Sequence, residues 1–216
     1  MPDSGQLIII GASGHALSVA DAALSTGWTI AGFYSPKGSG SASILGPILS
    51  TLEEEHVLGN ALALGIGTNY LRESALYDAV RSFPDVKVAT IVHQTAWVSP
   101  SATVLPGAVI LAHSAVGPGS TVGRCALINT GASLDHESSL GDYASLGPGA
   151  RSGGNVSIGE RTMIGMQAGI LHAVTVGSDC VVGAHSLVNR DFESNIVAWG
   201  VPARVIRTRR KDDPYY

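Results

Sequence analysis

Charge is scarce in this chain, and what is missing narrows the field first. Asp, Glu, Lys and Arg make up only 14% of 216 residues and leave a net charge of −4, so the broad basic surface that marks nucleic-acid binding is excluded and a small-molecule partner is expected. No run of about 18 apolar residues is present. The Leu7–Ile10 stretch stops at Gly11, so neither a membrane span nor a signal segment is expected and a soluble cytoplasmic protein is. Cysteine is limited to Cys125 and Cys180. In the repeat described next they fall three coils apart, roughly 14 Å and beyond the ~7 Å reach of a disulfide, and read as free thiols.

Glycine, by contrast, is abundant at 27 residues, and much of it falls in register with a repeat. From Val98 to Val188 an aliphatic residue recurs at every sixth position: Val98, Val104, Ile110, Val116, Val122, Ile128, Leu134, Leu140, Leu146, then Ile158, Ile164, Ile170, Val176, Val182 and Val188. Ser152 is the one lapse. A strict period of six fits neither a helix of period 3.6 nor an alternating strand, and belongs to a β-solenoid. The next position is often Gly (Gly117, Gly123, Gly141, Gly159) and the fourth is usually small (Ala108, Ala126, Ala132, Ala150). Each hexad thus reads as a short strand with a tight corner, three hexads as one triangular coil of eighteen residues, and the whole as about five coils around an aliphatic axis.

The first half reads differently. Leu7–Ile10 is an apolar strand, Gly11–His15 a glycine turn, and the segment through Val19 and Leu24 an apolar-periodic helix ending at Gly27. Further strands are expected at Trp28–Tyr34, Ala61–Ile66 and Val86–Ile91, a Gly/Ser-rich loop at Lys37–Ser43 and a helix at Thr68–Phe83, which together make a small Rossmann-like α/β sheet. The expected organisation is residues 1–92 as a Rossmann-like domain, 93–191 as the solenoid and 192–216 as a C-terminal tail containing Arg207, Arg209, Arg210 and Lys211.

Two places carry candidate chemistry. Glycines at a helix start let backbone N–H groups approach a phosphate, so the Gly11–His15 turn is either an anion site or a plain chain reversal; His15 either bonds a ligand or caps the turn. His136 falls on an outward corner of the solenoid with Glu137 beside it, Asn129 at the preceding corner and Gly154 one coil above. It is either a solvated corner residue or a general base with room for a ligand.

The motifs Gly11-Ala12-Ser13-Gly14-His15, Gly65-Ile66-Gly67-Thr68-Asn69-Tyr70-Leu71-Arg72, Asn129 through His136-Glu137, and Gly200-Val201-Pro202-Ala203 occur in the order of the sialic acid O-acetyltransferase family, which this chain resembles. That family includes N-acetyltransferases acting on nucleotide-linked 4-amino-4,6-dideoxyhexoses. The resemblance implies a left-handed parallel β-helix, acetyl-CoA as cosubstrate, no metal, a homotrimer, and acetylation of the sugar's 4-amino group with His136 as general base. It assigns Glu137 to support His136, Asn129 to hold the nucleophile and the Gly154 N–H to receive the oxyanion. Gly11, Ser13, Gly14, His15, Gly67, Asn69 and Arg72 would bind the sugar nucleotide. Ser145, Gly154, Gly165, Met166, Gly183, Ala184, Pro202 and Arg204 would bind acetyl-CoA in a groove between subunits, and the basic tail from Arg204 to Lys211 either meets its phosphates or is a solvated charge run. Two positions depart from the family pattern: Phe33-Tyr34-Ser35-Pro36 replaces an acidic pair common after the second strand, and Ser145 stands where a polar residue, often His, is usual.

Other functions stay open on the sequence. O-acetylation of a sialic acid or related nonulosonic acid would use the same scaffold. A metal enzyme like the γ-class carbonic anhydrases needs clustered histidines, whereas His136 and His172 are two coils, about 10 Å, apart and zinc ligands lie about 2 Å from the metal. A non-catalytic scaffold would make the glycine-turn domain superfluous.

Overall fold

The computed structural model describes residues 5–215; the first four residues of the expected Rossmann-like domain and the last residue of the tail lie outside the described residues. The chain divides into two compact units between Gln94 and Thr95.

In the N-terminal unit β1 (Gln6–Ile10), α1 (Gly14–Leu24), β2 (Thr29–Tyr34), β3 (Ile48–Leu49), α2 (Glu54–Val57), β4 (Asn60–Leu64), α3 (Asn69–Ser82) and β5 (Lys87–Val88) follow one another. The strands form one parallel sheet in the order β3-β2-β1-β4-β5. An unbroken apolar strand suits the centre of such a sheet, and Leu7 to Ile10 are all buried. Ala16, Val19, Ala20, Ala22 and Ala23 supply the buried face of α1, their small side chains allowing close packing. Two elements had no sequence expectation: β3 is a two-residue strand paired only to Phe33 and Tyr34, and α2 spans a single turn, both too short to show a period. The expected Val86–Ile91 strand is split into β5 and a separate Ile91–Val92. The chain runs outward from β1 on one side and then restarts with β4 on the other, so β1 and β4 flank the topological switch point, where open α/β sheets bind ligands at their carboxyl ends.

The second unit is a parallel β-helix. Sixteen two-residue strands run from Trp97–Val98 to Leu187–Val188, and those before the last coil each pair with the strand eighteen residues on, as in Val116↔Leu134 and Ile170↔Val188. The aliphatic series fills the axis, with Val116, Leu134, Ile164 and Val182 fully buried. Each such burial stabilises by about 1.5–3 kcal/mol, and the column repeats it coil after coil.

The corners revise one expectation. The residue that turns each corner in the left-handed region is the third after the aliphatic position, as at His113, Glu137, Asn155 and His185, whose φ values are +55 to +58°. The glycines directly after the aliphatic residue serve a different need: a Cβ on Gly141 would lie 2.6 Å from the Glu160 nitrogen one coil above. They let stacked backbones touch. The tail also differs from a loose basic segment, because Ile196–Gly200 pairs in parallel with Val181–Val182 and then antiparallel with Ala203–Thr208.

This geometry separates two glycine substitutions. Gly141→Ala should lower stability in chemical denaturation by about 1–3 kcal/mol, because its Cβ meets rigid backbone. At Gly169 a Cβ would meet only the end of Leu187 at 3.8 Å, so Gly169→Ala should stay within about 1 kcal/mol of the parent.

Candidate active site

His136 sits on an exposed corner, between the strands Ser133–Leu134 and Ser139–Leu140. Its Nδ1 is 3.2 Å from Oε2 of Glu137. An ionised carboxylate can only accept, so in the neutral imidazole this contact places the proton on Nδ1 and the lone pair on Nε2. The backbone around the ring is fixed from several directions. The His136 N–H donates to Asp135 Oδ1 at 2.7 Å, the Glu137 N–H to the Pro118 carbonyl at 2.8 Å, and the Ser120 hydroxyl to the Asp135 carbonyl at 2.6 Å.

Directly above lies Gly154, which is buried. Any Cβ there would collide with Cε1 and Nε2 of the His136 ring. Among the described residues no acceptor takes the Gly154 N–H, although its carbonyl receives the Ala173 N–H at 2.9 Å. A free backbone donor beside an imidazole with a free lone pair is a pairing that can receive a developing oxyanion and a proton together.

The other residues expected here occupy a different edge. Asn129, Gly165, Met166, Gly183 and Ala184 all follow strands of the side formed by Leu127–Ile128, Met163–Ile164 and Val181–Val182. His136 and Gly154 follow strands of the adjacent side. Asn129 accepts the Thr130 N–H through Oδ1 at 2.9 Å, leaving its amide nitrogen to donate. Met166 and Ala184 are exposed, whereas Ser145 is 1% exposed and its hydroxyl bonds Met163 Sδ at 2.9 Å, which takes that hydroxyl out of reach of a surface ligand on this chain. Pro202 lies at the exposed turn of the terminal hairpin, and the exposed Arg204 donates to the Ala203 carbonyl at 2.9 Å.

One cation of the basic tail is buried. Arg209 is buried and donates to the carbonyls of Asp179 and Asp213, both at 2.8 Å, while Arg207 and Arg210 pair with Asp212 and Asp213 at 3.4–3.8 Å. Arg209 is thus spent on folding the tail, whereas Arg204, Arg207, Arg210 and Lys211 remain exposed. Among the described residues no three His, Cys, Asp or Glu side chains are grouped to hold a metal ion.

In the N-terminal unit both glycine segments lie at the switch point. Gly11 follows β1 with φ +113°, and a Cβ there would lie 2.7 Å from the Gly65 carbonyl after β4. Gly14, the first residue of α1, faces open space, and Ser13 at the N-cap uses no side-chain hydrogen bond to cap the helix. The His15 ring lies against Gly67, and its Nε2 is buried with no partner among the described residues. Arg72 and Asn69 are buried: Arg72 donates to the carbonyls of Ile66 and Gly67 at 3.0 and 3.1 Å and to Asn69 Oδ1 at 2.9 Å. They shape the loop after β4. A concavity of about 810 Å³ opens at the opposite ends of the strands, around Gln6, Asn60 and Lys87, away from these segments.

Burial, helped by the positive charge of Arg72, pushes His15 down to about 4. A histidine whose folded value lies below its unfolded value near 6.5 contributes nothing pH-dependent above that value, and stability is lost as pH falls from about 6.5 to about 4. Urea titrations across this window should show a decline of up to about 3 kcal/mol that His15→Gln largely removes.

The comparisons agree with this geometry. Residues 6–78 match the model of the PglD N-terminal domain and residues 155–190 that of the bacterial transferase hexapeptide with six repeats. Galactoside O-acetyltransferase of Escherichia coli is 45% identical over 53 residues, 24% of this chain, and the match spans only 26% of that relative. Solved structures match far more of the chain. PerB, the perosamine N-acetyltransferase of Caulobacter crescentus, determined with CoA and GDP-perosamine, is 32% identical over 94% of this chain and 98% of its own, with a TM-score of 0.85. The acetyltransferase domain of PglB from Neisseria gonorrhoeae, determined with acetyl coenzyme A, is 30% identical over 94% and 100%, also at 0.85. A Rossmann-like unit with its glycine turns at the switch point, followed by a left-handed β-helix presenting a histidine–glutamate pair, places the chain in the family of hexapeptide-repeat acetyltransferases that includes the nucleotide-amino-sugar N-acetyltransferases.

Proposed function

We propose that the protein moves the acetyl group of acetyl-CoA onto the 4-amino group of a nucleotide-linked 4-amino-4,6-dideoxyhexose in the cytoplasm. The observation that carries this reading is the His136–Glu137 pair set against the Gly154 N–H, which has no acceptor among the described residues. In this reading residues 1–92 hold the sugar nucleotide, 93–191 carry the transfer and 192–216 are a tail. As the amine attacks the thioester carbonyl, His136 Nε2 takes the amine's proton and Glu137 supports the resulting imidazolium. The Gly154 N–H receives the oxyanion until the carbon–sulfur bond breaks, and the thiolate of coenzyme A leaves and takes up a proton. Asn129 on the neighbouring edge, with Gly165, Met166, Gly183, Ala184, Pro202 and Arg204, would line the cosubstrate path. Because these residues and His136 lie on different edges of one triangle, a complete site calls for two chains, which favours a homotrimer with a site at each interface. Phosphates of the sugar nucleotide would meet the Gly11–His15 turn at the start of α1, where Gly14 faces open space.

His136→Ala removes the proton acceptor from an exposed corner, so kcat should fall by about 10²–10⁴ with stability within about 0.5 kcal/mol. Thiol release from acetyl-CoA, measured with UDP-, dTDP- and GDP-linked 4-amino-6-deoxy sugars and with free sialic acids, reads this out. Retention of more than about a tenth of the parent turnover removes His136 as the base. Glu137→Ala should be milder and His172→Ala, two coils away, nearly silent.

Gly14→Val fills open space at the expected phosphate approach and should raise KM for the sugar nucleotide while leaving acetyl-CoA affinity unchanged. Equal loss of both would point to misfolding and loss of neither to a different sugar site. Sedimentation should give a trimer, and a monomer would contradict the interfacial site.

A further inference from the structure

The single lapse in the aliphatic series lies beside the catalytic corner. Ser152 occupies the axial slot between Leu134 below and Ile170 above and is buried. In the coils around it, the residue after each aliphatic position donates its N–H to the carbonyl of the axial residue one coil on: Gly117 to Leu134, Gly141 to Ile158, Gly147 to Ile164, Gly153 to Ile170. At Asp135 this bond is replaced. Its N–H goes at 2.9 Å to the Ser152 hydroxyl, and the pairing of these two strands is confined to Ser133 and Arg151, without the Leu134–Ser152 pair that the other coils make. The ladder is therefore released at one corner, the one that carries Asp135, His136 and Glu137 below and Gly153 and Gly154 above.

We infer that Ser152 is a positioning residue for the transfer: its hydroxyl catches the Asp135 amide in place of the ladder carbonyl and so sets His136 at its distance from the Gly154 N–H. Asp135 relays the constraint directly, because its carboxylate accepts the His136 N–H at 2.7 Å. An aliphatic residue at 152 would fill the axis as in every other coil and offer no acceptor to Asp135 except its carbonyl. The ladder would then close, drawing the His136 corner into the regular stack beneath a glycine that already leaves no room for a Cβ. The buried hydroxyl thus has a task that the repeat by itself does not require. This inference rests on His136 being the base.

Threonine and valine have the same shape and differ only in the hydroxyl, so Ser152→Thr and Ser152→Val test the bond with the added volume held constant. Ser152→Thr should keep kcat within about threefold of the parent, whereas Ser152→Val should lose at least about tenfold in kcat at a nearly unchanged KM for acetyl-CoA, as expected for a displaced reacting group. Ser152→Val should also melt no lower than Ser152→Thr, because it completes the aliphatic column. Equal activity of the two variants overturns the inference.

Amide hydrogen exchange at Asp135 supplies a readout independent of turnover. Exchange should be slow in the parent and faster in Ser152→Ala, which removes the acceptor without adding volume and also serves if the larger variants do not fold. An unchanged Asp135 rate in Ser152→Ala overturns the inference as well. A parent enzyme that releases no thiol with any amino-sugar acceptor would instead remove the transferase reading while the exchange result still stood or fell by itself.

Discussion

The eighteen-residue register between coils is the constraint from which the rest of the second unit follows. Each coil donates its backbone N–H groups to the coil above, so the stacked backbones lie within hydrogen-bond distance along all three sides. That closeness forbids a Cβ after many of the aliphatic positions and requires small side chains inside the corners. It also sends most long side chains outward, His136, Glu137, Met166 and His185 among them. Reactive groups are thereby displayed on edges in fixed order, one coil apart, which is how a histidine and a backbone amide eighteen residues away come to face the same small space. Preorganisation of this kind needs no movement of the donor when charge develops.

The same register makes departures informative. Forgoing an aliphatic side chain in a packed axis costs on the order of 2–5 kcal/mol, judged by large-to-small core substitutions, and the chain accepts that loss at Ser152 alone among sixteen slots. In the N-terminal unit the corresponding departure is His15. Its imidazole is kept neutral by burial and by Arg72, with a buried nitrogen that has no partner among the described residues, although an isolated histidine in water would bond at both nitrogens. Both sites give up some stability for a local arrangement that folding alone does not demand.

Much of this was legible in the sequence, and for physical reasons. A period of six over ninety residues has few structural solutions, so the solenoid, its axis and the outward setting of His136 could be read from spacing. The switch-point turn was legible because Gly11 and Gly65 lie where backbones nearly touch. What stayed hidden depended on distance between coils. The glycines after the aliphatic residues read as turn formers, but the turning residue lies two positions later and is often not glycine, as at Glu137 and His185. Arg72 and Arg209 read as ligand cations, and only their burial and carbonyl partners show that they hold local backbone. The lapse at Ser152 was visible as a missing aliphatic residue, whereas its hydrogen bond to Asp135 could not be read from one dimension.

The terminal hairpin has a further consequence. A stack of parallel coils ends in a row of unpaired N–H and C=O groups, the kind of exposed edge to which another sheet can add. Here Ile196–Gly200 takes the last parallel place on one side and Ala203–Thr208 folds back against it in the opposite direction. The reversal ends the parallel register on that side. A second solenoid laid end to end would meet an antiparallel strand bearing Arg204 and Arg207, so coil-upon-coil growth into a fibre is blocked there by the chain's own last turn.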